Sequence, residues 1–325
     1  MTVPVPPPAS RRRLGPLVAF SCATALAVAC GNAGGPSRVT TLVTHSSPGG
    51  GSDVFLRELV PHLTRLMGGT FVVDNIQGGS GARAMAAVAQ SAPERPFLYA
   101  TTPTFIFTSL LSEPAVRYTD LEPLVNLFFD PEVLYTAADS RFRSVADVLA
   151  HARTGAGRWG AANPASLERQ VLEQIKQKTG TNPAITTFEG GADMLLNVLN
   201  HTLDVGVGEL QEIRSQLEAG RLRLLAVVGD ERLPQFPDVP TAREQGIDLA
   251  VRKFRGLAGP RGLPAETIAA WEAAIPKLLE DPAYRTLYLE NSLQPGFMPH
   301  DEYVTFIATF GKEAQSFLRD AGVIE

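Results

Sequence analysis

The run Pro48-Gly49-Gly50-Gly51-Ser52-Asp53 separates an apolar segment, residues 39–43, from an amphipathic segment that begins near Val54. A strand that ends in glycines and passes directly into a helix exposes main-chain N–H groups at the helix N-terminus. Because glycine has no Cβ, a ligand can approach the main chain closely there. Together with the helix dipole, these groups predict a binding site for an anion.

A second stretch of the chain has the same character. Phe188-Glu189-Gly190-Gly191-Ala192-Asp193 follows the apolar run 184–187 and precedes a helical pattern. Strand and helix patterns alternate along the chain, which predicts parallel pairing in doubly wound sheets. Two such loops indicate two α/β halves that face each other across a ligand.

The composition is that of an ordinary globular protein. The 325 residues suit one large or two medium domains, with 44% hydrophobic and 19% charged residues. The formal net charge is −5, and the chain has five lysines. An acidic balance without a basic run in the body argues against a nucleic-acid partner.

The first 29 residues have the pattern of an export signal. Arg11-Arg12-Arg13 precedes an apolar run, 14–28, that is shorter than a membrane-spanning helix. Small residues lead up to Cys30, which resembles a bacterial lipoprotein signal; ordinary cleavage nearby is the alternative. We expect residues 1–29 to be a signal peptide, Cys30 to be lipidated, and residues 30–37 to be a Gly- and Pro-rich tether. The arginines also resemble a twin-arginine signal, so the export pathway stays open.

Metal and cofactor signals are weak in this sequence. Cys22 lies within the predicted signal, so Cys30 is the one cysteine of the mature chain and no disulfide is expected. The five histidines are scattered without metal-ligand spacing, and neither glycine loop has a P-loop or dinucleotide pattern. We therefore expect no metal and no cofactor.

Several short motifs stand in an order and spacing that is typical of one family. They are the two glycine loops, Val72-Val73-Asp74-Asn75, Leu203-Asp204-Val205, residues 219–227 and Phe236-Pro237-Asp238-Val239-Pro240-Thr241. On these residues the chain resembles the extracytoplasmic solute receptors of the tripartite tricarboxylate transporter family (Bug-type receptors), over nearly all of residues 39–325.

The resemblance implies the type II periplasmic binding protein fold, with two doubly wound α/β lobes joined by two crossing strands. We expect residues 38–134 and 252–325 to form lobe 1 and residues 135–251 to form lobe 2. The resemblance also implies that the protein captures a small organic carboxylate between the lobes and delivers it to membrane permease subunits. It is then extracytoplasmic, held at the membrane by its lipid anchor, and we expect a monomer.

In this family, main-chain N–H groups and waters of both glycine loops hold the ligand carboxylate. Polar residues that follow further predicted strands share the same sheet edge, where ligands of open α/β sheets bind. Asp53 is expected to orient its helix, since it would repel an anion, and for His45 a surface or packing role is favoured over ligand contact. The candidate ligand-binding residues are Ser47, Pro48, Gly49, Gly50, Gly51, Ser52, Asp53, Thr102, Thr104, Asn163, Ser166, Glu168, Gly190, Gly191 and Glu209.

Three glutamates of lobe 2 depart from the family pattern. Glu168, Glu189 and Glu209 stand near strand ends where the family more often has a histidine, a lysine and an Asp-Asn pair. One hypothesis is that the far side of the pocket is acidic and prefers a ligand with an ammonium or neutral end over a tricarboxylate. The alternative is that these are solvated charges at the rim, and the sequence leaves both open.

Two other function classes fit parts of the sequence. Gly78-Gly79-Ser80-Gly81-Ala82 is close to the Gly-x-Ser-x-Gly nucleophile elbow of serine hydrolases, but the last glycine is replaced and a helix-entry turn explains the segment without chemistry. We therefore expect no enzyme. A ligand sensor that feeds a signalling partner needs the same closing lobes as a transport receptor, so the sequence does not separate these two functions.

Overall fold

The structure is a computed structural model that describes residues 39–325. The predicted signal peptide, the tether and the lipidation site Cys30 lie outside the described residues. Within them, every helix is too short or too polar to cross a bilayer.

Eleven strands in the described part of the chain form two sheets. The strands are β1 (Val39–Thr44), β2 (Thr70–Asn75), β3 (Phe97–Thr101), β4 (Leu121–Asp130), β5 (Glu132–Ala137), β6 (Arg158–Ala161), β7 (Ala184–Thr187), β8 (Val205–Glu209), β9 (Leu222–Val227), β10 (Lys253–Pro260) and β11 (Gln294–Met298). One sheet has the order β11-β4-β10-β3-β1-β2 and the other β7-β6-β8-β5-β9.

Ten α-helices of the described residues cover these sheets. They are α1 (Gly51–Met67), α2 (Ala82–Ala89), α3 (Pro103–Ser112), α4 (Val145–Arg153), α5 (Leu167–Thr179), α6 (Gly191–Leu199), α7 (Leu210–Glu218), α8 (Ala265–Glu280), α9 (Pro282–Glu290) and α10 (His300–Asp320). In α1 the residues Phe55, Leu59 and Leu63 recur at helical spacing and are buried, so one face of the helix packs on the sheet.

The two sheets are the centres of two α/β lobes, as the sequence predicts. The first sheet takes its strands from residues 39–130 and 253–298, and the second from residues 132–227. The chain passes between the sheets at Pro131, between β4 and β5, and again in the segment between β9 and β10. The residue bounds given above for the lobes stay a prediction.

The strand pairing agrees with the sequence in part. The predicted parallel pairs form between β1 and both β2 and β3, and between β6 and both β7 and β8. β10, however, runs antiparallel to β3 and β4, and the strands β4 and β11 are not predicted from the sequence. Both contain a proline, Pro123 and Pro295, which argues against a strand when the pairing partners are unknown.

Phe254 on β10 lies at the centre of an aromatic cluster in the first lobe. Its fully buried ring lies 5.2 Å from the ring of Phe310, 5.5 Å from that of Phe306 and 6.2 Å from that of Tyr303, measured between centroids. This cluster fixes α10 against the sheet. Because side chains alternate along a strand, the neighbours of Phe254 point to the opposite face of the sheet.

We predict that Phe254→Ala lowers the free energy of unfolding by about 3–5 kcal/mol, because the truncation leaves a cavity among rings that cannot fully close on it. Urea denaturation followed by circular dichroism measures the loss. Leu196→Ala is the control, since that side chain is 61% exposed, and its effect should stay within about 0.5 kcal/mol. Equal losses in the two variants would contradict this account of the core.

Candidate functional site

A small cavity lies between the lobes, at the carboxyl ends of strands from both sheets. Its volume is about 20 Å³, which is room for about one or two water molecules. The cavity is lined by His45, Ser46, Gly51, Ser52, Thr102, Thr104, Ala162, Asn163, Glu168, Glu189, Gly190, Gly191, Glu209, Glu212 and Lys253.

Nine of the fifteen residues predicted from the sequence are in this lining: Gly51, Ser52, Thr102, Thr104, Asn163, Glu168, Gly190, Gly191 and Glu209. Six are not: Ser47, Pro48, Gly49, Gly50, Asp53 and Ser166. Pro48 and Gly49 are exposed. Ser166 accepts a hydrogen bond from the Arg169 N–H at 3.1 Å and so caps α5.

The two glycine loops contact each other across the cleft. A Cβ on Gly190 would overlap the Ser47 hydroxyl and lie 3.0 Å from the Ser47 nitrogen, and a Cβ on Gly51 would lie 2.7 Å from Glu209 Oε2. Neither α1 nor α6 has a side-chain N-cap. The residues with the unpartnered first-turn N–H groups of both helices therefore lie at the cavity.

Asp53 holds the first glycine loop in place. Its carboxylate accepts hydrogen bonds from the Gly49 N–H at 2.8 Å, from Asn75 Nδ2 at 2.9 Å and from Arg57 Nε at 2.9 Å. Burial opposes the charge, but these bonds outweigh it and lower the pKa of Asp53. Asp53 thus orients the loop and does not line the cavity, which is the role that the sequence suggested for it.

Beside the cavity lies a group of buried charges that we call the hinge ion cluster: Asp130, Glu132, Glu168, Glu209, Lys253 and Arg255. Lys253 Nζ donates to Glu132 Oε1 at 3.0 Å, to Glu168 Oε1 at 2.6 Å and to Glu209 Oε1. The Arg255 guanidinium donates to Asp130 Oδ2 at 2.5 Å and to Glu209 Oε1 at 2.9 Å. Since Lys253 and Arg255 belong to the first sheet and the three glutamates to the second lobe, the cluster joins the two lobes.

The strand register explains why the cluster needs its lysine. Glu132 and Glu209 are directly opposite each other on β5 and β8, and like charges in such a pair repel. Burial favours the neutral form of Glu209, but the charges of Lys253 and Arg255 outweigh it and lower the pKa of Glu209 to about 2. For Glu132 burial prevails and raises the pKa well above its ordinary value.

Burial also acts on the pKa values of Asp130 and Lys253. It raises the pKa of Asp130 to about 6, against the opposing charge of Arg255. It also opposes the charge of Lys253, but the surrounding glutamates outweigh it and raise the pKa of Lys253 well above its ordinary value. The cations of the cluster therefore stay charged, whereas the pKa of Glu209 is lowered and those of Asp130 and Glu132 are raised.

His45 lies in the cavity wall, although the sequence favoured a packing role. Its Nδ1 is 2.8 Å from the Tyr99 hydroxyl, and the ring is 7% exposed. Burial first, and then the charges of Lys253 and Arg255, lower the pKa of His45 to about 4. The wall therefore carries a neutral imidazole at neutral pH.

Two alternatives to a solute site can be examined in the described residues. Glu132, Glu168 and Glu209 have ligand atoms within 4.8 Å of one another, as a metal ion would need, but the Lys253 ammonium donates to all three. Ser80, the candidate nucleophile, has a positive φ of 52°, and none of the five histidines hydrogen-bonds it in the described part of the chain.

Sequence reasoning missed Lys253, Arg255, Asp130, Glu132 and Glu212. One signal was available: Asp130 and Glu132 are two positions apart in the sequence, and so are Lys253 and Arg255. In a strand this spacing places both charges on one face. Two charged pairs on the two crossing segments indicate a buried ion cluster at the hinge.

Comparison with known proteins agrees with this architecture. The model of the family described as "Tripartite tricarboxylate transporter family receptor" matches residues 55–323. A Bordetella bronchiseptica protein described as a UPF0065 protein is 28% identical over 257 residues, 78% of this chain and 77% of its own. The Bordetella pertussis protein BugT is 24% identical over 296 residues, 88% of this chain and 90% of its own.

Solved structures show the same fold. The periplasmic binding protein BugD has a TM-score of 0.83 at 20% identity, over 89% of this chain and 99% of its own. A Rhodopseudomonas palustris protein solved with adipate has a TM-score of 0.83 at 24% identity, over 88% and 98%. MatC from the same species, with bound malate, has a TM-score of 0.77 at 22% identity, over 89% and 100%. The predicted two-lobed periplasmic binding protein fold is confirmed.

We predict that Lys253→Met lowers the free energy of unfolding by about 3–5 kcal/mol at pH 8, because it leaves buried carboxylates without their cation. Without the ammonium the folded-state pKa values of these carboxyls rise, so the loss should shrink as the pH falls to 5 and they become neutral. Urea titrations at both pH values measure this. Lys312→Met, on an exposed position of α10, is the control; a pH-independent loss in Lys253→Met would contradict the cluster.

We predict a second pH effect, from His45. Its folded-state pKa of about 4 lies below that of an unfolded histidine, so its contribution is fully present above about pH 6.5 and is lost as the pH falls toward 4. Between pH 7 and 4.5, wild type should lose about 2–3 kcal/mol more stability than His45→Gln. His201→Gln, at an exposed position, should behave as wild type; if His45→Gln does so too, the prediction is wrong.

Proposed function

Because the chain belongs to the tripartite tricarboxylate transporter receptor family, we propose that it captures a small organic carboxylate between its lobes and delivers it to a membrane permease of that transporter type. Its family and fold are those of solute-binding receptors. In this proposal the protein is extracytoplasmic, is exported by residues 1–29, is held at the membrane by a lipid on Cys30, and acts as a monomer.

The observation that carries the proposal is the meeting of two uncapped helix N-termini. α1 from one lobe and α6 from the other both begin in glycines at the cavity, without a side-chain cap. Free N–H groups and the positive ends of two helix dipoles attract an anion. A carboxylate between them contacts both lobes and so favours their closure.

Two buried hydroxyl groups also support a polar ligand at this site. Thr102 Oγ1 and Ser47 Oγ are buried and have no hydrogen-bond partner in the described part of the chain. A buried hydroxyl without a partner is costly, and such groups are usually satisfied by water or by a ligand. Both hydroxyls lie beside the glycine loops, so they support a polar ligand at this place.

Ligand entry requires the lobes to separate. A cavity of about 20 Å³ is far smaller than the roughly 300–1,000 Å³ of typical ligand pockets. The two segments that connect the sheets, at Pro131 and between Val227 and Lys253, are the places where a hinge motion changes few contacts within either lobe. The present arrangement then corresponds to the closed state.

Solved structures support the proposed ligand class. Two proteins of this fold hold adipate and malate, and we extend the class of small carboxylates to this chain. Thermal-shift screening against organic acids tests it, since a ligand at a hundred times its dissociation constant stabilises a protein by about 2.7 kcal/mol. A transition temperature that no acid raises would remove the proposal.

We predict that Gly190→Ala weakens ligand binding at least tenfold and leaves the unfolding temperature of the free protein within 2 °C of wild type, by a rough estimate. The backbone of Gly190 is extended and accepts any residue, but an added Cβ would meet Ser47 of the opposite lobe. The added methyl group therefore obstructs the closure of the lobes without disturbing the fold of either lobe. Calorimetric titration with the best acid of the screen measures the affinity.

Gly229→Ala is the matched control. A Cβ there would meet its nearest atom, Val227 Cγ1, at 3.6 Å, which is ordinary contact. Its affinity should equal that of wild type. If Gly190→Ala also binds like wild type, the two glycine loops do not close on the ligand.

A further inference from the structure

Glu212 is a buried carboxyl group for which the hinge ion cluster provides no cation. It lies on the first turn of α7, lines the cavity and is 8% exposed. Its Oε1 has no hydrogen-bond partner, and none of the ion pairs in the described part of the chain includes it.

The position of Glu212 is central to the proposed ligand site. A Cβ on Gly50 would lie 3.5 Å from Glu212 Oε1, one on Gly208 would lie 2.9 Å from Glu212 Oε2, and one on Gly191 would overlap the carboxyl group. Gly50 belongs to the loop of one lobe and Gly191 to that of the other. The carboxyl group therefore lies between the two glycine loops.

Glu212 differs from the other buried acids around the cavity in having no ion-pair partner among the described residues. Lys253 and Arg255 contact the other four buried carboxylates: Asp130, Glu132, Glu168 and Glu209. Burial, and then the charges of Glu209 and Glu168, raise the pKa of Glu212 well above its ordinary value. Glu168 and Glu209 are thus buried and paired rather than solvated at the rim, and Glu212 is the acid that has no cation beside it.

The charge that a ligand brings to Glu212 separates ligand classes. An ammonium beside the carboxyl group favours its ionised form and gains an ion pair with it, whereas a second carboxylate disfavours that form and gains none. A ligand with one carboxylate on the helix N-termini and an ammonium nearby satisfies both features of the site. A dicarboxylate satisfies the first alone.

We propose that this receptor selects a carboxylate that also carries an ammonium group, such as an amino acid, and that Glu212 is the counter-ion of that ammonium. The inference rests on the proposed function and narrows its ligand class. It also assigns the selection of the ammonium to a residue that the sequence analysis did not name. Of the acids singled out in the sequence, Glu168 and Glu209 are neutralised by Lys253, and Glu189 is exposed.

Binding is then linked to proton release. In the free protein Glu212 faces Glu209, Glu168 of α5, Tyr135 of β5 and Lys253 of β10, and burial together with the two glutamates raises its pKa well above the ordinary value. An ammonium brought beside it favours the carboxylate. Binding of an ammonium ligand should therefore be accompanied by proton release.

The experiment compares ligands that differ in one ammonium group. Calorimetric titrations use glutamate against glutarate and aspartate against succinate, at pH 6 in two buffers of different ionisation enthalpy. Wild type should bind at least one amino acid tenfold more tightly than its partner acid and release protons on binding it. Glu212→Gln should reduce the preference below threefold and abolish the proton release. Glu218→Gln, at an exposed position on the same helix, is the control and should behave as wild type.

The unliganded protein provides a second measurement. Because the folded-state pKa of Glu212 is raised, its contribution to stability is lost as the pH rises through that value, and Glu212→Gln should remove this part of the pH dependence. Equal affinity within both ligand pairs, or an unchanged preference in Glu212→Gln, overturns the inference while carboxylate capture stands. If all four ligands fail to bind, the inference is overturned as well, and if malate and adipate also fail, the proposed function falls with it.

Discussion

The arrangement of the lobes depends on the ion pairs of the Lys253 ammonium. It is buried on the first sheet and donates to three glutamates of the second lobe. Carboxylates buried without a cation are too costly to stay ionised. The lysine therefore decides how many negative charges this interface can hold, and together with Arg255 it joins the two lobes.

The cavity combines two opposing electrostatic features. Helix N-termini at Gly51 and Gly191 favour an anion, and the protein's own carboxyl groups, Glu209 and Glu212, lie directly against those glycines. A helix terminus stabilises a charge by up to about 2 kcal/mol, whereas burying an unpaired carboxylate costs several kcal/mol. The larger effect prevails at Glu212, whose pKa is raised well above its ordinary value, and at Glu209 the balance is reversed by Lys253 and Arg255, which lower its pKa to about 2. Which carboxyl group has a cation beside it therefore decides which ligand charge the cavity prefers.

Much of the architecture could be predicted because its signals are local. The glycine loops, the helical spacing of Phe55, Leu59 and Leu63, and the βα alternation depend on residues close together in sequence. Nine predicted positions line the cavity for the same reason, since they follow strands whose carboxyl ends share one edge. The strands that contain Pro123 and Pro295 were missed, because pairing partners more than a hundred residues away determine whether a proline is tolerated.

The sequence by itself determined the lobes, the two glycine loops and the helix ends that open between them, since these follow from local backbone chemistry. Only the tertiary structure decided which charges meet. Asp130 and Lys253 are 123 positions apart yet opposite each other in the sheet, and whether a glutamate is paired, solvated or buried alone depends on the distances that folding creates. Long-range electrostatics has no local signature, because a carboxyl group is defined by its surroundings as much as by its own chemistry.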